Sequence, residues 1–477
     1  MWYYYYYCIR LKMDVDAVPR KLWEHADPKS TAMWRFMEAA NERYSLRLGN
    51  FQELYDWSCR ERVQFYGQLW EWQSCIYEGS FSRVVDEAAP IDSLPRWFEG
   101  VRLNMTENML WTRGEASKPW LRGTRHKEDD KVAVTEVREG GREVRHVTWR
   151  ELRKRAGDLA GALRARGIRK GDRVVMVGGH SSATLVVLLA SMWLGALFSS
   201  SSTDMGVGGL LQRTVQIEPR FVFFDDGALY NGKVIDLRGK IRGMMEGLVR
   251  DCRHFESMVI VQRFDEPYDT SAIPRTERFE TFVESSQGSS PPPIERIGFQ
   301  DPTIIYYSSG TTGTPKAIVH GVGPLMLNFW KEYVLHREQG PDDVAMQYTT
   351  TGWIMYLASI THLILGGRAV FYDGSPLMPD RRVLLKVAAE QGVSNLGISP
   401  RWMGELLKGG VVPRDEFDLS RLRVVVSTGM VLSDQLFEWF YDVGFPRRVH
   451  LANISGGTDI VSFPCLSLAS PFLGLRK

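Results

Sequence analysis

Ile304-Ile-Tyr-Tyr-Ser-Ser-Gly-Thr-Thr-Gly-Thr-Pro-Lys316 joins an apolar run to a turn crowded with hydroxyls. Thr303 to Tyr307 has the length and apolar content of a buried strand. The turn after it offers Ser308, Ser309, Thr311, Thr312 and Thr314, two glycines (Gly310, Gly313) that let a backbone approach a polyanion, and the cation Lys316. Main-chain N–H groups and hydroxyls so arranged can cradle phosphate oxygens. The glycines stand too close together, and Lys316 follows a proline, so this is not a Walker A loop. An ordinary surface loop of small residues is the alternative. Its density of hydroxyls, its place after a buried strand and Lys316 favour phosphate binding.

Outward from this stretch, short apolar runs alternate with helical patterns. Val174–Val177, Phe221–Phe224, Met258–Val261, Ala369–Tyr372, Val393–Ile398, Leu422–Val426 and Val449–Ala452 read as strands, and Thr184–Trp193 as a helix. Near-continuous apolar strands separated by helices predict an α/β fold, with mostly parallel sheets covered on both faces. The expected organisation has a start at 1–19 outside the fold, with Met13 as the expected initiator after the Tyr3 to Tyr7 run. A helical cap follows at 20–112, on patterns such as Thr31–Tyr44 and Phe51–Tyr66, then a polar loop at Arg113 to Lys131. A first α/β subdomain (132–284), a flexible stretch from Ser285 to Pro293, a second α/β subdomain (300–460) and a divergent tail (461–477) complete it.

The 477 residues carry 59 Lys and Arg against 57 Asp and Glu, a difference of +2, which gives no long-range pull toward nucleic acid or an anionic membrane. Five scattered cysteines without a Cys-x-x-Cys pair argue for reduced thiols, and so for the cytosol, rather than a disulfide framework or zinc site. The longest apolar stretch, Ala183 to Phe198, is too short to span a membrane and reads as a buried core helix. Without a secretory signal, the Asn104-Met-Thr106 and Asn453-Ile-Ser455 glycosylation patterns read as chance.

Ligands of open parallel sheets bind outside the carboxyl ends of strands, and two further strand ends carry small polar clusters. One is Ser427-Thr-Gly-Met-Val-Leu-Ser433, where Ser433 suits a helix N-cap ahead of Asp434 to Tyr441. The other is Asn453-Ile-Ser-Gly-Gly-Thr-Asp459. His320 reads as a satisfied strand-end histidine, and Asp225-Asp226 as a solvated strand end. No Ser/His/Asp or Cys/His set stands out as a nucleophile.

The turn Tyr307 to Lys316 resembles the phosphate-loop signature of the adenylate-forming superfamily of acyl-CoA synthetases, luciferases and adenylation domains. Pro95 to Asn104, Lys316 to Gly323, Thr349 to Met355 and Ser455 to Asp459 resemble its acetoacetyl-CoA synthetase branch, over roughly residues 20 to 460. The resemblance implies stacked, mostly parallel sheets and a ligase using ATP, Mg²⁺ and coenzyme A, in which a carboxylate attacks the α-phosphate and the thiol then displaces AMP. It implies that Ser308 to Thr314, Lys316 and Thr458 hold phosphates, and that Gly429, Met430 and Val431 line the adenine. It also implies that Trp353, Thr428 and Gly456 border the acyl group, and that Asp459 meets Mg²⁺. Acetyl-CoA synthetases carry a tryptophan where this chain has Gly456, so the glycine leaves room for a longer acid and favours acetoacetate. Ser455 stands where an adenine-stacking aromatic is usual, which weakens the expectation of stacking.

After Asp459 nothing resembles the family's continuation. The chain is expected to lack the C-terminal domain, with its catalytic lysine and part of the coenzyme A site. Two alternatives to an acetoacetate ligase follow: a catalytically impaired nucleotide-binding fragment, or a synthetase for another short acid. An unrelated NTPase or kinase is excluded for lack of a Walker A loop or kinase aspartates.

Overall fold

A computed structural model describes residues 21–284, 290–308, 313–461 and 475–476. The start at 1–19, most of the tail and four residues of the hydroxyl-rich turn (Ser309, Gly310, Thr311 and Thr312) lie outside the described residues.

Among the described residues the apolar runs form two seven-stranded sheets. The first has the order Thr276–Arg278, Ser257–Val261, Phe221–Asp225, Arg173–Val177, Leu197–Ser201, Pro302–Ser308, Lys316–Gly321. Its strands are parallel except the last pair, an antiparallel hairpin in which Ser308 stands opposite Lys316. The second has the order His450–Asn453, Val424–Ser427, Asn395–Ile398, Val344–Gln347, Arg368–Asp373, Val132–Arg138, Val144–Thr148, again parallel but for the last pair. Each sheet draws strands from both sides of residues 285–299: 132–148 belong to the second sheet and 302–321 to the first.

Because side chains alternate along a strand, each sheet feeds two cores. Val174, Met176, Phe221 and Phe223 of the first sheet, and Phe371, Val424 and Val426 of the second, enter one large core with the helices Trp149–Ala165 and Ser182–Trp193. Val175, Val177, Val222 and Phe224 face the other way, onto the helices Val207–Thr214 and Arg238–Asp251. Val370, Leu396, Val425 and Leu451 pack on Val383–Glu390 and Pro400–Lys408. The layers run helix, sheet, helix, sheet, helix. Burying each large apolar side chain contributes about 1.5–3 kcal/mol.

The cap begins with helix Ala32–Tyr44, whose first turn is closed by Thr31 accepting from the Trp34 amide. The pattern from Phe51 to Tyr66 resolves into two helices, Phe51–Arg60 and Arg62–Trp72, broken at Glu61. Asn104 is 1% exposed and caps a short helix at Met105, so its glycosylation pattern is indeed structural coincidence.

Three expectations need correction. The polar segment 113–131 contains a hairpin, Thr112–Glu115 with Lys118–Gly123. The apolar stretch to Phe198 is not one helix: the helix stops at Trp193, and Leu197–Ser201 is an inner strand. Its serines stay polar yet buried because Ser200 Oγ donates to the Thr351 carbonyl at 2.6 Å and lies 3.1 Å from the Tyr306 hydroxyl. Asp225 and Asp226 are not solvated; both are 1% exposed. Asp225 accepts from the Gly179 amide and pairs with Arg263 at 3.4 Å, while Asp226 accepts from the Arg263 and Tyr268 amides.

Candidate functional site

Three parallel strands of the second sheet, the first two adjacent and the third one strand further in, end on the same side. Val424–Ser427 pairs in parallel with His450–Asn453, setting Ser427 opposite Asn453. The two glycine-containing motifs therefore leave the sheet side by side, tied by the Ile454 amide donating to the Ser427 carbonyl at 2.9 Å. Beyond strand Val344–Gln347, the segment 349–355 folds toward them and is anchored by Thr351, whose Oγ1 donates to the Gly178 carbonyl at 2.7 Å. Ser433 caps the following helix by accepting from the Leu436 amide, as its sequence position predicts.

These ends enclose a cavity of about 570 Å³. Trp353, Thr428, Gly429, Met430, Val431, Gly456 and Thr458 all line it. The sequence-predicted acyl and adenine residues therefore come together. Its mouth is open, with Val431 90%, Met430 57% and Trp353 46% exposed. Trp353 is thus a rim residue rather than a core tryptophan. Gly429 sits at φ +97°, where a Cβ would stand 3.0 Å from Trp353 Cη2, so glycine is required both by the backbone and by the indole.

The phosphate-turn hairpin approaches from the first sheet. Ser308 and Lys316 face each other at its base, and Lys316, Gly313 and Thr314 are exposed. None of these four lines the 570 Å³ cavity. The hairpin reaches the third strand end through His320, whose imidazole lies within electrostatic reach of the Thr458 backbone and the Asp459 carboxylate. Burial lowers the His320 imidazole, and Thr458 and the Asp459 carboxylate oppose that. Asp459 itself is exposed. Among the described residues no group of three or more His, Cys, Asp or Glu could hold a metal unaided. Asp459 instead offers a single hard oxygen ligand. That fits a Mg²⁺ held mostly by water and nucleotide phosphates.

Sequence reasoning missed the floor. The hairpin strand Lys316–Gly321 runs into helix Val322–Phe329, which continues as a wider, π-type coil across Trp330–Leu335. Phe329, Glu332 and Tyr333 from this element line the cavity beside Leu357 and Ala358. Glu332 is 1% exposed, is the one charged residue in the lining among the described residues, and pairs with Lys331 Nζ at 3.0 Å. Burial opposes the Lys331 ammonium, but the Glu332 carboxylate together with Tyr66 more than offsets it, raising the lysine. The i, i+3, i+4 spacing of Phe329, Glu332 and Tyr333 on one helix face was the available signal.

A cavity at strand ends with hydroxyls and glycines on its rim and apolar walls can take a nucleotide together with a short acid. Residues 121–465 match the model of the AMP-binding enzyme family, and 51–109 match the acetyl-coenzyme A synthetase N-terminus. An acetoacetyl-CoA synthetase of Mus musculus is 36% identical over 455 residues, covering 95% of this chain and 65% of its own length. The acetoacetyl-coenzyme A synthetase of Rhizobium meliloti is 35% identical over 459 residues, covering 95% and 66%. The solved acetoacetyl-CoA synthetase of Streptomyces lividans superposes with a TM-score of 0.84 at 29% identity, covering 96% of this chain and 67% of that one. This chain spans just under two thirds of the Mus musculus relative. With the stacked sheets, the hairpin beside the third strand end and a family match covering most of its length, the chain belongs to the AMP-binding enzyme family.

Proposed function

We propose that this protein activates acetoacetate with ATP, forming an acyl-adenylate and pyrophosphate, and passes the acyl group to the thiol of coenzyme A. The observation that carries the reading is the cavity itself. It joins an open rim of Thr428 to Val431 and Thr458 to a buried apolar floor, with Gly456 in its wall where a bulky side chain would shorten it. The names of the relatives at 35–36% identity support the choice of acid.

In this reading the nucleotide lies across Gly429 to Val431, with its phosphates toward Thr458 and the base of the hairpin at Ser308 and Lys316. Ser309, Gly310, Thr311, Thr312, Gly313 and Thr314 complete the grip on the β- and γ-phosphates. The acid's carboxylate points at the α-phosphate and its chain toward the floor. Catalysis of such an in-line displacement is mainly positioning and charge neutralisation. Trp353 and Thr428 hold the acid in line, and Lys316 places a cation beside the departing pyrophosphate. Mg²⁺ at Asp459, when bound, supplies charge neutralisation on the phosphates. A separate cavity of about 360 Å³, lined by Thr349 to Thr351, gives the thiol an approach from the other side of the segment that carries Trp353. Among the described residues no helix is long and apolar enough to cross a membrane, and Cys59, Cys75 and Cys252 are free thiols. Both fit a protein of the reducing cytosol.

The test is acetoacetate-dependent exchange of labelled pyrophosphate into ATP, with acetate as comparator. Exchange driven by acetoacetate supports the reading. Mg-ATP binding with exchange driven only by a different short acid would replace acetoacetate, and absence of Mg-ATP binding would remove the reading altogether.

A further inference from the structure

Both legs of the phosphate-turn hairpin are tied to the end of one helix. Tyr307, the residue before Ser308, donates its hydroxyl to the Arg213 carbonyl at 2.8 Å, and the Arg213 guanidinium lies over the Tyr307 ring, 5.7 Å from its centre. Pro315, the residue before Lys316, accepts at its carbonyl from Gln216 Nε2 at 2.8 Å. Arg213 stands in the last turn of the helix Val207–Thr214, and Gln216 in the tighter turn Val215–Ile217 that continues it. Ser308 and Lys316 are partners across the hairpin, so each member of the pair follows a tethered residue.

Pro315 is buried, whereas Gly313, Thr314 and Lys316 around it are exposed. A proline has no N–H, so its carbonyl is its one main-chain hydrogen-bonding group. Gln216 takes that group. Its amide is itself aimed by a second bond, Nε2 donating to the Gln212 carbonyl at 2.5 Å. With one N–H on its own helix and the other on the hairpin, Gln216 is a bracket between the two. The side chain is exposed, where substitutions move stability little. What the bracket governs is the place of the leg that carries Lys316.

We propose that Gln216 is a positioning residue of the nucleotide site: by holding the Pro315 carbonyl it sets Lys316 where the ammonium meets the phosphates beyond the α-phosphate. This role rests on the acyl-adenylate reading above and deepens it. A lysine ammonium is a point charge on a flexible four-carbon stem, so the position of its backbone decides what it can reach. On an untethered leg it must be ordered when the nucleotide arrives, and that ordering is subtracted from the affinity. On a bracketed leg it is ordered beforehand. A nucleotide that carries the α-phosphate alone does not reach the lysine and is indifferent to the bracket.

The probes are ATP and AMP, each with Mg²⁺, titrated calorimetrically into the full chain. Gln216→Met, of the same reach but without a donor, should weaken ATP by about threefold to tenfold, the value of one hydrogen bond, and leave AMP within about twofold. Gln216→Leu, also without a donor, gives the same reading should the first variant not fold. Lys316→Ala should weaken ATP by itself. In that background Gln216→Met should cost less than about twofold more, because the bracket then has no lysine to place. A residue serving stability alone would give equal losses for ATP and AMP, and the same loss with or without Lys316. That pattern, undiminished ATP binding in a folded Gln216 variant, or undiminished ATP binding by Lys316→Ala would overturn the proposal alone. Failure of the unaltered protein to bind Mg-ATP would overturn the acyl-adenylate reading and this proposal with it.

Discussion

Gly429 and Trp353 meet edge to backbone at the rim of the cavity: a methyl group on Gly429 would lie 3.0 Å from the indole Cη2, on a backbone held at φ +97°. The two residues come from different strand ends, so their contact fixes the spacing between the segment 349–355 and the turn after Ser427. Gly429→Ala should lose about 1–2 kcal/mol of stability to the left-handed backbone alone and should also push the indole off the rim. Thermal unfolding and ATP titration check it. Adding Trp353→Ala should recover part of the affinity but none of the backbone cost. A double-mutant cycle with no coupling between the sites would refute the contact.

Gly456→Trp tests the length of the acyl pocket. An indole in the cavity wall should weaken binding of N-acetoacetyl-sulfamoyladenosine, a stable mimic of the acyl-adenylate, by at least tenfold, as overpacking and lost pocket volume combine. Binding of an acetyl-sulfamoyladenosine should stay within about threefold of the unaltered protein. Equal losses for both mimics would place Gly456 away from the acyl group.

Asp459→Asn tests the metal. The exposed carboxylate at the end of the third motif is the hard oxygen offered to Mg²⁺. Removing its charge should leave ATP binding without Mg²⁺ nearly unchanged and cut the gain that Mg²⁺ confers by about tenfold. A variant that keeps the whole Mg²⁺ gain would move the metal elsewhere.

How much of this could be read from the residues depended on whether burial followed hydrophobicity. Phe221 to Phe224 and Met258 to Val261 became strands because a run of four apolar residues between helical patterns is short enough for a strand buried on both faces of a sheet. The rim residues Gly429, Met430 and Gly456 lie on turns at strand ends, where small residues mark themselves. Leu197–Ser201 was hidden because its serines imitate a loop until Tyr306 and Thr351, distant in sequence, supply their partners. Asp225 looked solvated because its cation, Arg263, lies thirty-eight positions on. Glu332 was hidden for the same reason: on a helix, a buried and a surface glutamate read alike until the opposing wall is known.

The acid response of the fold follows from buried groups of opposite sign. Burial lowers His180, His336 and His362 to about 4 and raises Asp225 to about 7. Between pH ~4 and ~6.5 the unfolded chain protonates the three imidazoles while the native state keeps them neutral, so each stabilises at neutral pH and is lost as pH falls. Asp225 acts the other way, because the native carboxyl holds a proton the unfolded one has released, and its contribution fades as pH rises toward 7. Three protons against one leave the unfolded chain about two ahead, so stability should rise by roughly 2.7 kcal/mol per pH unit across that window. Denaturant midpoints between pH 4.5 and 6 should climb accordingly. Asp225→Asn, which removes the opposing proton, should steepen the climb by about half. A flat profile for the unaltered protein would mean that the three imidazoles reach water in the native state.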